Sequence, residues 1–342
     1  MKFLALSLLM FSLNVPAETR LGEPLQILFT SPAVQEVCAD VVTPHPTKPG
    51  FWHLERPNFA LSETTLFATR HLRPTAAGAF AITAIDRANP VSAREVIRFQ
   101  ERPADIQFHG GKLWVLFRNR LLSVDPQDGQ VLSEARTHDP SFAPETHAAA
   151  HSMTWVGDRL IIAHGSRGLA LYDERANHVQ PLSDLGLQDQ GGHISKAIDV
   201  TPINERQVLV VVDNVTVSEK PPFAFNGLMI VDVQSRSVTK FPSNRAQAGG
   251  LSYARAKVVG DKVVINNWGL LQVAKLSDMK QSRTMQGSWL VTRTQQDNLF
   301  VELMGDFYVE NDQVLVCAQA YGKDATTGRP SRQGIFYSRG LE

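Results

Sequence analysis

The hydrophobic pattern of residues 105–136 predicts a small antiparallel sheet. Ile106 and Phe108 alternate with polar neighbours, which is typical of a strand with one buried face. The continuous apolar run at 113–117 is typical of a strand covered on both faces. The segment 125–129 supplies the proline, aspartates and glycine that a tight turn requires. Together these features predict a four-stranded meander of about thirty residues.

The same pattern recurs along the chain. In each repeat, a turn precedes a pair of residues that opens the predicted second strand. These pairs are Thr65-Leu66, Leu113-Trp114, Leu160-Ile161, Val208-Leu209, Val263-Val264 and Val314-Leu315. They lie about 47 to 55 residues apart. This interval is typical of propeller blades and differs from those of leucine-rich and ankyrin repeats.

The last repeat lacks a fourth strand, whereas an additional strand is predicted near the N-terminus at 25–29. Because unpaired sheet edges promote aggregation, we expect this strand to complete the C-terminal sheet and close a ring. Ring closure would bring Cys38 near Cys317. An even number of cysteines in an exported protein favours a disulfide between them, and two buried free thiols are the alternative.

These repeats resemble a bacterial exported β-propeller of the quinoprotein-like and lactonase-like superfamily, without a match to one specific family. The segment 124–132 is similar to the Asp-x-x-x-Gly turn of quinoprotein blades. It matches in one repeat only and lacks the closing tryptophan, so no cofactor is carried over. The resemblance implies one all-β domain over residues 18–342. This domain would have six four-stranded blades, or seven if 33–52 and 286–304 form an irregular one.

The first 17 residues predict a signal peptide. Lys2 precedes the apolar run 3–15, and Val15-Pro16-Ala17 suits cleavage before Glu18; a buried N-terminal strand or helix is the alternative. The run is too short to span a membrane, so a periplasmic or secreted protein is expected. The 34 basic and 34 acidic residues balance, which gives no basis for a nucleic-acid partner. We expect a monomer without a membrane span after cleavage.

The resemblance also implies where a site would lie. In propellers, the loops that enter the innermost strands surround one end of the central channel. Basic and imidazole groups are frequent in these loops, which predicts a local positive field able to hold an anionic or metal-bridged ligand. The candidate ligand-binding residues are Arg56, Asn58, Arg102, His147, His151, His193, Lys196, Arg255 and Asp306.

His147 and His151 are the sharpest candidates. Two histidines four residues apart share a helix face, as in some zinc motifs, but no glutamate follows His147, so the metalloprotease pattern fails. With His193 they could form a three-histidine metal site; the alternative is that all three are loop residues bonded to backbone. His151 and His193 are also the candidate general bases.

Three functions fit these residues. Binding of a small anionic ligand or a periplasmic protein is favoured because no complete catalytic motif occurs. A lactonase, lyase or metal-dependent hydrolase that uses the same histidines is the first alternative. A non-catalytic envelope scaffold is the second, since a fold alone does not determine function.

Overall fold

The computed structural model describes the chain in sixteen ranges. They are 26–29, 42–44, 52–54, 57–72, 80–89, 93–137, 148–187, 195–214, 225–242, 254–267, 270–282, 288–290, 300–310, 313–323, 330–331 and 334–340. The strands in these ranges form antiparallel sheets. The described part also contains one short helix, α1 (Leu276–Ser282), and no helix there is long and apolar enough to cross a membrane.

Five of the sheets are four-stranded blades, each built from consecutive strands. The first blade contains β4 (Phe59–Leu61), β5 (Thr65–His71), β6 (Phe80–Asp86) and β7 (Ala93–Phe99), and the second β8 (Asp105–His109), β9 (Lys112–Leu116), β10 (Arg120–Val124) and β11 (Val131–Arg136). The third contains β12 (Ser152–Val156), β13 (Arg159–Ala163), β14 (Leu169–Asp173) and β15 (His178–Ser183). The fourth contains β16 (Ser195–Pro202), β17 (Gln207–Asn214), β18 (Gly227–Asp232) and β19 (Val238–Pro242), and the fifth β20 (Arg255–Val259), β21 (Lys262–Asn267), β22 (Leu270–Lys275) and β23 (Ser288–Leu290).

The remaining strands form a terminal sheet and a hairpin. The terminal sheet has the order β1-β27-β25-β24, and β26 pairs with β25. Its strands are β1 (Gln26–Phe29), β24 (Phe300–Glu310), β25 (Gln313–Lys323), β26 (Pro330–Ser331) and β27 (Gly334–Gly340). The hairpin pairs β2 (Val42–Pro44) with β3 (Trp52–Leu54).

The innermost strands close a ring, which makes the fold a β-propeller. Strands β4, β8, β12, β16, β20 and β24 are neighbours in that order, and β24 also lies beside β4. At this seam the N–H of Asp306 donates to the carbonyl of Pro57 at 3.2 Å. The predicted all-β propeller with four-stranded antiparallel blades is confirmed.

The N-terminal strand joins the C-terminal sheet as predicted. In β1, Gln26 lies opposite Ser338 and Ile27 opposite Tyr337 of β27. The closing role assigned to 25–29 is therefore confirmed. The predicted disulfide stays a prediction, because Cys38 lies outside the described residues.

The predicted number of four-stranded blades is wrong: the described part of the chain forms five, not six or seven. The terminal sheet is five-stranded because the connection from β25 to β27 contributes the short strand β26. The segments proposed for a seventh blade are used elsewhere. Part of 33–52 contributes to the β2-β3 hairpin, while β23 joins the fifth blade and β24 the terminal sheet.

The run 113–117 shows how adjacent blades share the core. Leu113, Val115 and Phe117 pack in the apolar cluster between the first and second blades. Trp114 and Leu116 point to the other face and pack against the third blade. Burial of each such side chain contributes about 1.5–3 kcal/mol. The continuous apolar pattern therefore reflects a strand covered on both faces, as predicted.

The turn at 125–129 follows the chemistry expected from its sequence. Asp125 accepts the N–H of Gln127 at 2.7 Å through its side chain. Gly129 has a φ of +76°, and a Cβ on this residue would lie 2.1 Å from the carbonyl oxygen of Val96. A glycine is required here because the second blade packs directly against the first at this turn.

Candidate functional site

One equivalent position lies on each innermost strand of the ring or, in the first blade, directly before it. The first four of these residues are polar and each follows the previous one by 47 positions along the chain. The three carboxylates of the set are buried, with 2–3% of each residue exposed. We call this set the girdle; its members are Asn58, Asp105, Ser152, Asp199, Arg255 and Asp306.

Four girdle side chains each accept a backbone N–H from the next innermost strand. These hydrogen bonds connect neighbouring sheets around the ring. The bonds run from Met153 N to Asp105 Oδ2 (2.8 Å), Val200 N to Ser152 Oγ (2.8 Å), Ala256 N to Asp199 Oδ2 (2.7 Å) and Phe59 N to Asp306 Oδ2 (3.5 Å). Buried N–H groups need acceptors. Between blades, the girdle side chains provide the acceptors that a neighbouring strand provides within a sheet.

The two remaining girdle residues do not accept such a bond. Arg255 has no acceptor atom, and the Asn58 amide instead donates to the carbonyl of Pro103 at 3.1 Å. In the girdle, Asp105 comes after Asn58 and Asp306 comes after Arg255. Each of these aspartates accepts the backbone N–H of the residue that follows it in the chain. Asp105 Oδ1 accepts from Ile106 N and Asp306 Oδ1 accepts from Phe307 N, both at 2.9 Å.

The hydrogen bonds of Arg255 connect its own blade with three others. Its Nη1 donates to Asp199 Oδ1 at 2.8 Å on the neighbouring blade. Its Nη2 donates to the carbonyl of Ala104 at 3.2 Å and to that of His151 at 3.5 Å. Burial lowers the pKa of Arg255, but the nearby aspartates outweigh burial and raise it. The guanidinium is therefore a permanent cation among the innermost strands.

Lys257 adds a second cation on the same face of β20, two residues further along the strand. Its Nζ lies 3.5 Å from Asp306 Oδ1. The innermost strands thus bring together three carboxylates, of Asp105, Asp199 and Asp306, and two cations. Burial raises the pKa of Asp105 to about 7, against the lowering effect of Arg255. One carboxyl of the girdle consequently titrates near neutral pH.

Opposite pH effects are expected from Asp105 and His151. The pKa of Asp105 rises from 3.8 to about 7 on folding, so its contribution to stability is present below pH 4 and lost as pH rises through 7. The pKa of His151 falls from 6.5 to about 3, so its contribution is present above pH 6.5 and lost as pH falls.

Thermal unfolding of two variants across pH 4–7 checks these signs. Relative to Asp105→Asn, the wild type should lose stability as pH rises. Relative to His151→Gln, it should gain stability over the same range. Parallel pH profiles for all three proteins would contradict the assignment, whatever the absolute midpoints are.

His151 lies close enough to four basic side chains for their charges to affect its pKa. Its pKa is lowered first by burial and then by Lys196, Arg255, Arg118 and His164, in that order. Its Nε2 is buried and has no hydrogen-bond partner in the described part of the chain. We call these five residues the mouth cluster.

The other members of the mouth cluster come from several blades. Arg118 is exposed and lies between β9 and β10, and His164 is buried between β13 and β14. Lys196 lies in β16 with its Nζ 3.6 Å from Asp213 Oδ2. The predicted candidates did not include Arg118 and His164, because they belong to the loops between second and third strands. The implied propeller geometry places those loops at the same end of the channel.

The structure separates the predicted site residues into three groups and leaves Arg102 apart from them. Asn58, Arg255 and Asp306 belong to the girdle, and their described bonds are internal. His151 and Lys196 belong to the mouth cluster with Arg255. Arg102 is partly exposed just before β8.

The third group lies outside the described residues and consists of Arg56, His147 and His193. The proposed three-histidine metal site therefore has only His151 in the described part. Within that part, no three histidine, cysteine or acidic side chains are grouped so that they could hold a metal ion. The predicted metal site and the general-base role of His193 stay predictions.

The chain matches no protein-family model and no curated protein sequence. Among solved structures, it is similar to the WD40 β-propeller domain of Doa1, with a TM-score of 0.48, 10% identity, and coverage of 85% of this chain and 84% of that one. The Neurospora crassa Pan2 WD40 domain aligns with a TM-score of 0.46 and 10% identity, covering 87% and 93%. The computationally designed Ika8 protein has a TM-score of 0.46 and 12% identity, covering 84% and 97%. These similarities carry no argument about activity.

Proposed function

We propose that this propeller binds a small anionic ligand at the mouth cluster. The observation that supports the proposal is the shared sign of the charges around His151. Apart from burial, the principal influences on its pKa come from basic groups on the second to fifth blades, and all of them lower it. Basic side chains that are grouped in this way attract anions.

Binding fits these residues better than acid–base catalysis does. General bases work best with a pKa near the operating pH, whereas the pKa of His151 is about 3. The girdle aspartates are also committed to backbone N–H groups and to cations. They form part of the scaffold. The groups proposed to contact a ligand are the exposed Arg118 and the partly exposed Lys196, which would keep its ion pair with Asp213.

The geometry also favours a ligand that rests on the entrance. Arg255 and Lys257 cross or line the channel just inside it, and both are paired with carboxylates. A compact dianion, such as a dicarboxylate or a phosphate group, could contact Arg118 and Lys196 without displacing these pairs. With residues 1–17 acting as a signal peptide, the ligand would be met in the periplasm or outside the cell.

Calorimetric titration with inorganic phosphate and with succinate at low ionic strength tests the proposal. Arg118→Gln should weaken binding about tenfold, which corresponds to about 1.4 kcal/mol. Arg159→Gln is the matched control, because Arg159 is exposed at the far end of the β12-β13 hairpin.

Added salt should weaken wild-type binding, since exposed charges are screened. The proposal fails if neither anion binds, or if Arg118→Gln and Arg159→Gln bind equally well.

A further inference from the structure

A cavity opens between the first and second blades. It lies at the opposite end of the strands from the mouth cluster. Its volume is about 610 Å³, within the roughly 300–1,000 Å³ typical of small-molecule sites. Phe67 and Phe108 form an aromatic wall, with their rings stacked 5.6 Å apart at an interplanar angle of 15°. Ala84 lies directly opposite Phe67 on the neighbouring strand and also lines the cavity.

The small residue Ala84 lies in the middle of a row of three side chains that line the cavity. Phe67, Ala84 and Arg94 pair in register across β5, β6 and β7. The repeat places Ser123, Leu171 and Ile230 at the position of Ala84 in the second, third and fourth blades. Ile230 is buried in the core, and the partly buried Leu171 packs against the core. Alanine at this position leaves space in the first blade that these larger residues fill elsewhere.

Arg94 lines the cavity and uses two of its five N–H donors to bond to the neighbouring blade. Its Nη1 donates to the carbonyl of Gln127 and its Nη2 to that of Pro126, both at 2.8 Å. Both carbonyls belong to the turn between β10 and β11. The arginine therefore connects the two blades, and these bonds fix its guanidinium at the cavity wall.

The rim of the cavity is acidic. The Glu63 carboxylate is exposed and makes no hydrogen bond or ion pair with another described residue. Asp86 is also exposed, and only its Oδ1 is used, to accept the N–H groups of Ala88 and Asn89. Two carboxylates and Arg94 give the lining residues a net charge of −1. Arg87 lies beside the rim and donates to the carbonyls of Ser62 and Glu63, both at 3.2 Å.

We propose that this cavity binds a small organic cation with a flat apolar body. The phenyl rings of Phe67 and Phe108 supply apolar contact, and the partly exposed Phe108 can offer a ring face to a cation. Glu63 and Asp86 supply the opposite charge. This site is independent of the mouth cluster, which has the opposite charge and lies at the other end of the channel.

Ligand-observed NMR with benzyltrimethylammonium tests the inference, with benzyl alcohol as the neutral probe. The cation should bind saturably with a dissociation constant on the order of 1 mM, and benzyl alcohol more weakly. Glu63→Gln should weaken cation binding about fivefold. Glu205→Gln is the matched control, because Glu205 is exposed in the equivalent turn of the fourth blade.

Ala84→Leu provides the second test, because it fills the cavity with a residue that the third blade carries at the same position. Binding of the cation should be lost while the thermal unfolding midpoint stays the same or rises. Arg118→Gln should leave cation binding unchanged. Equal affinity for the two probes, or unchanged binding in Ala84→Leu or Glu63→Gln, would overturn the inference.

Discussion

Replacing Arg255 with methionine is expected to lower the free energy of unfolding by about 3–5 kcal/mol, the usual cost of leaving a buried charge without its partner. In the wild type, Arg255 lies 2.8 Å from Asp199 and bonds to the carbonyls of Ala104 and His151. Methionine keeps much of the apolar volume but removes all three bonds. Urea denaturation measures the loss through the shift in midpoint.

Two further variants separate the ion pair from the other bonds of Arg255. Adding Asp199→Asn to Arg255→Met removes the unpaired carboxylate, so the double variant should lose less stability than the sum of the single ones. Arg159→Met controls for the loss of an exposed arginine and should change stability by about 0.5 kcal/mol or less. A loss below about 1 kcal/mol for Arg255→Met would contradict a structural role across the channel.

Replacing Asp306 with alanine is expected to open the ring at its seam, also at a cost of about 3–5 kcal/mol. Asp306 accepts the N–H groups of Phe307 and Phe59 and pairs with Lys257. The variant leaves two buried donors and a cation unsatisfied. Hydrogen exchange should become faster in β4 and β24, the two strands that meet at the seam.

Ser152→Ala is the matched comparison, because Ser152 occupies the equivalent girdle position but accepts only the N–H of Val200. It should cost about 1–3 kcal/mol, the range for one buried donor left unsatisfied. If both variants cost the same, the charge on Asp306 contributes nothing to closure. If hydrogen exchange in Asp306→Ala becomes faster by the same factor in every blade, the seam between β4 and β24 does not open separately from the rest of the ring.

The girdle explains why polar residues recur inside an otherwise apolar ring. Innermost strands of neighbouring blades cannot pair as a continuous sheet, because each blade is a separate sheet with its own edge. Their edge N–H groups therefore need side-chain acceptors, which Asp105, Ser152, Asp199 and Asp306 provide. The spacing of 47 residues between the first members was visible in the sequence and could have identified the girdle.

The sequence alone determined the parts of the fold that depend on neighbouring residues. The alternation at 105–109, the two-sided burial of 113–117 and the turn at 125–129 follow from local periodicity and backbone preference. The closing role of β1 also followed from sequence, because a missing strand at one end and an unmatched strand at the other leave one economical pairing.

Only the tertiary structure decided which polar residues share a neighbourhood. Arg255 contacts Ala104, 151 residues earlier, and the cavity at Ala84 depends on a turn of the next blade. It also decided that Arg255 and Asp306, predicted to bind a ligand, make internal bonds with other strands. Such contacts depend on the rotation between blades, which local patterns do not encode. Periodicity therefore predicts which face of a strand is buried, whereas the partner of a buried charge is known only once the ring is assembled.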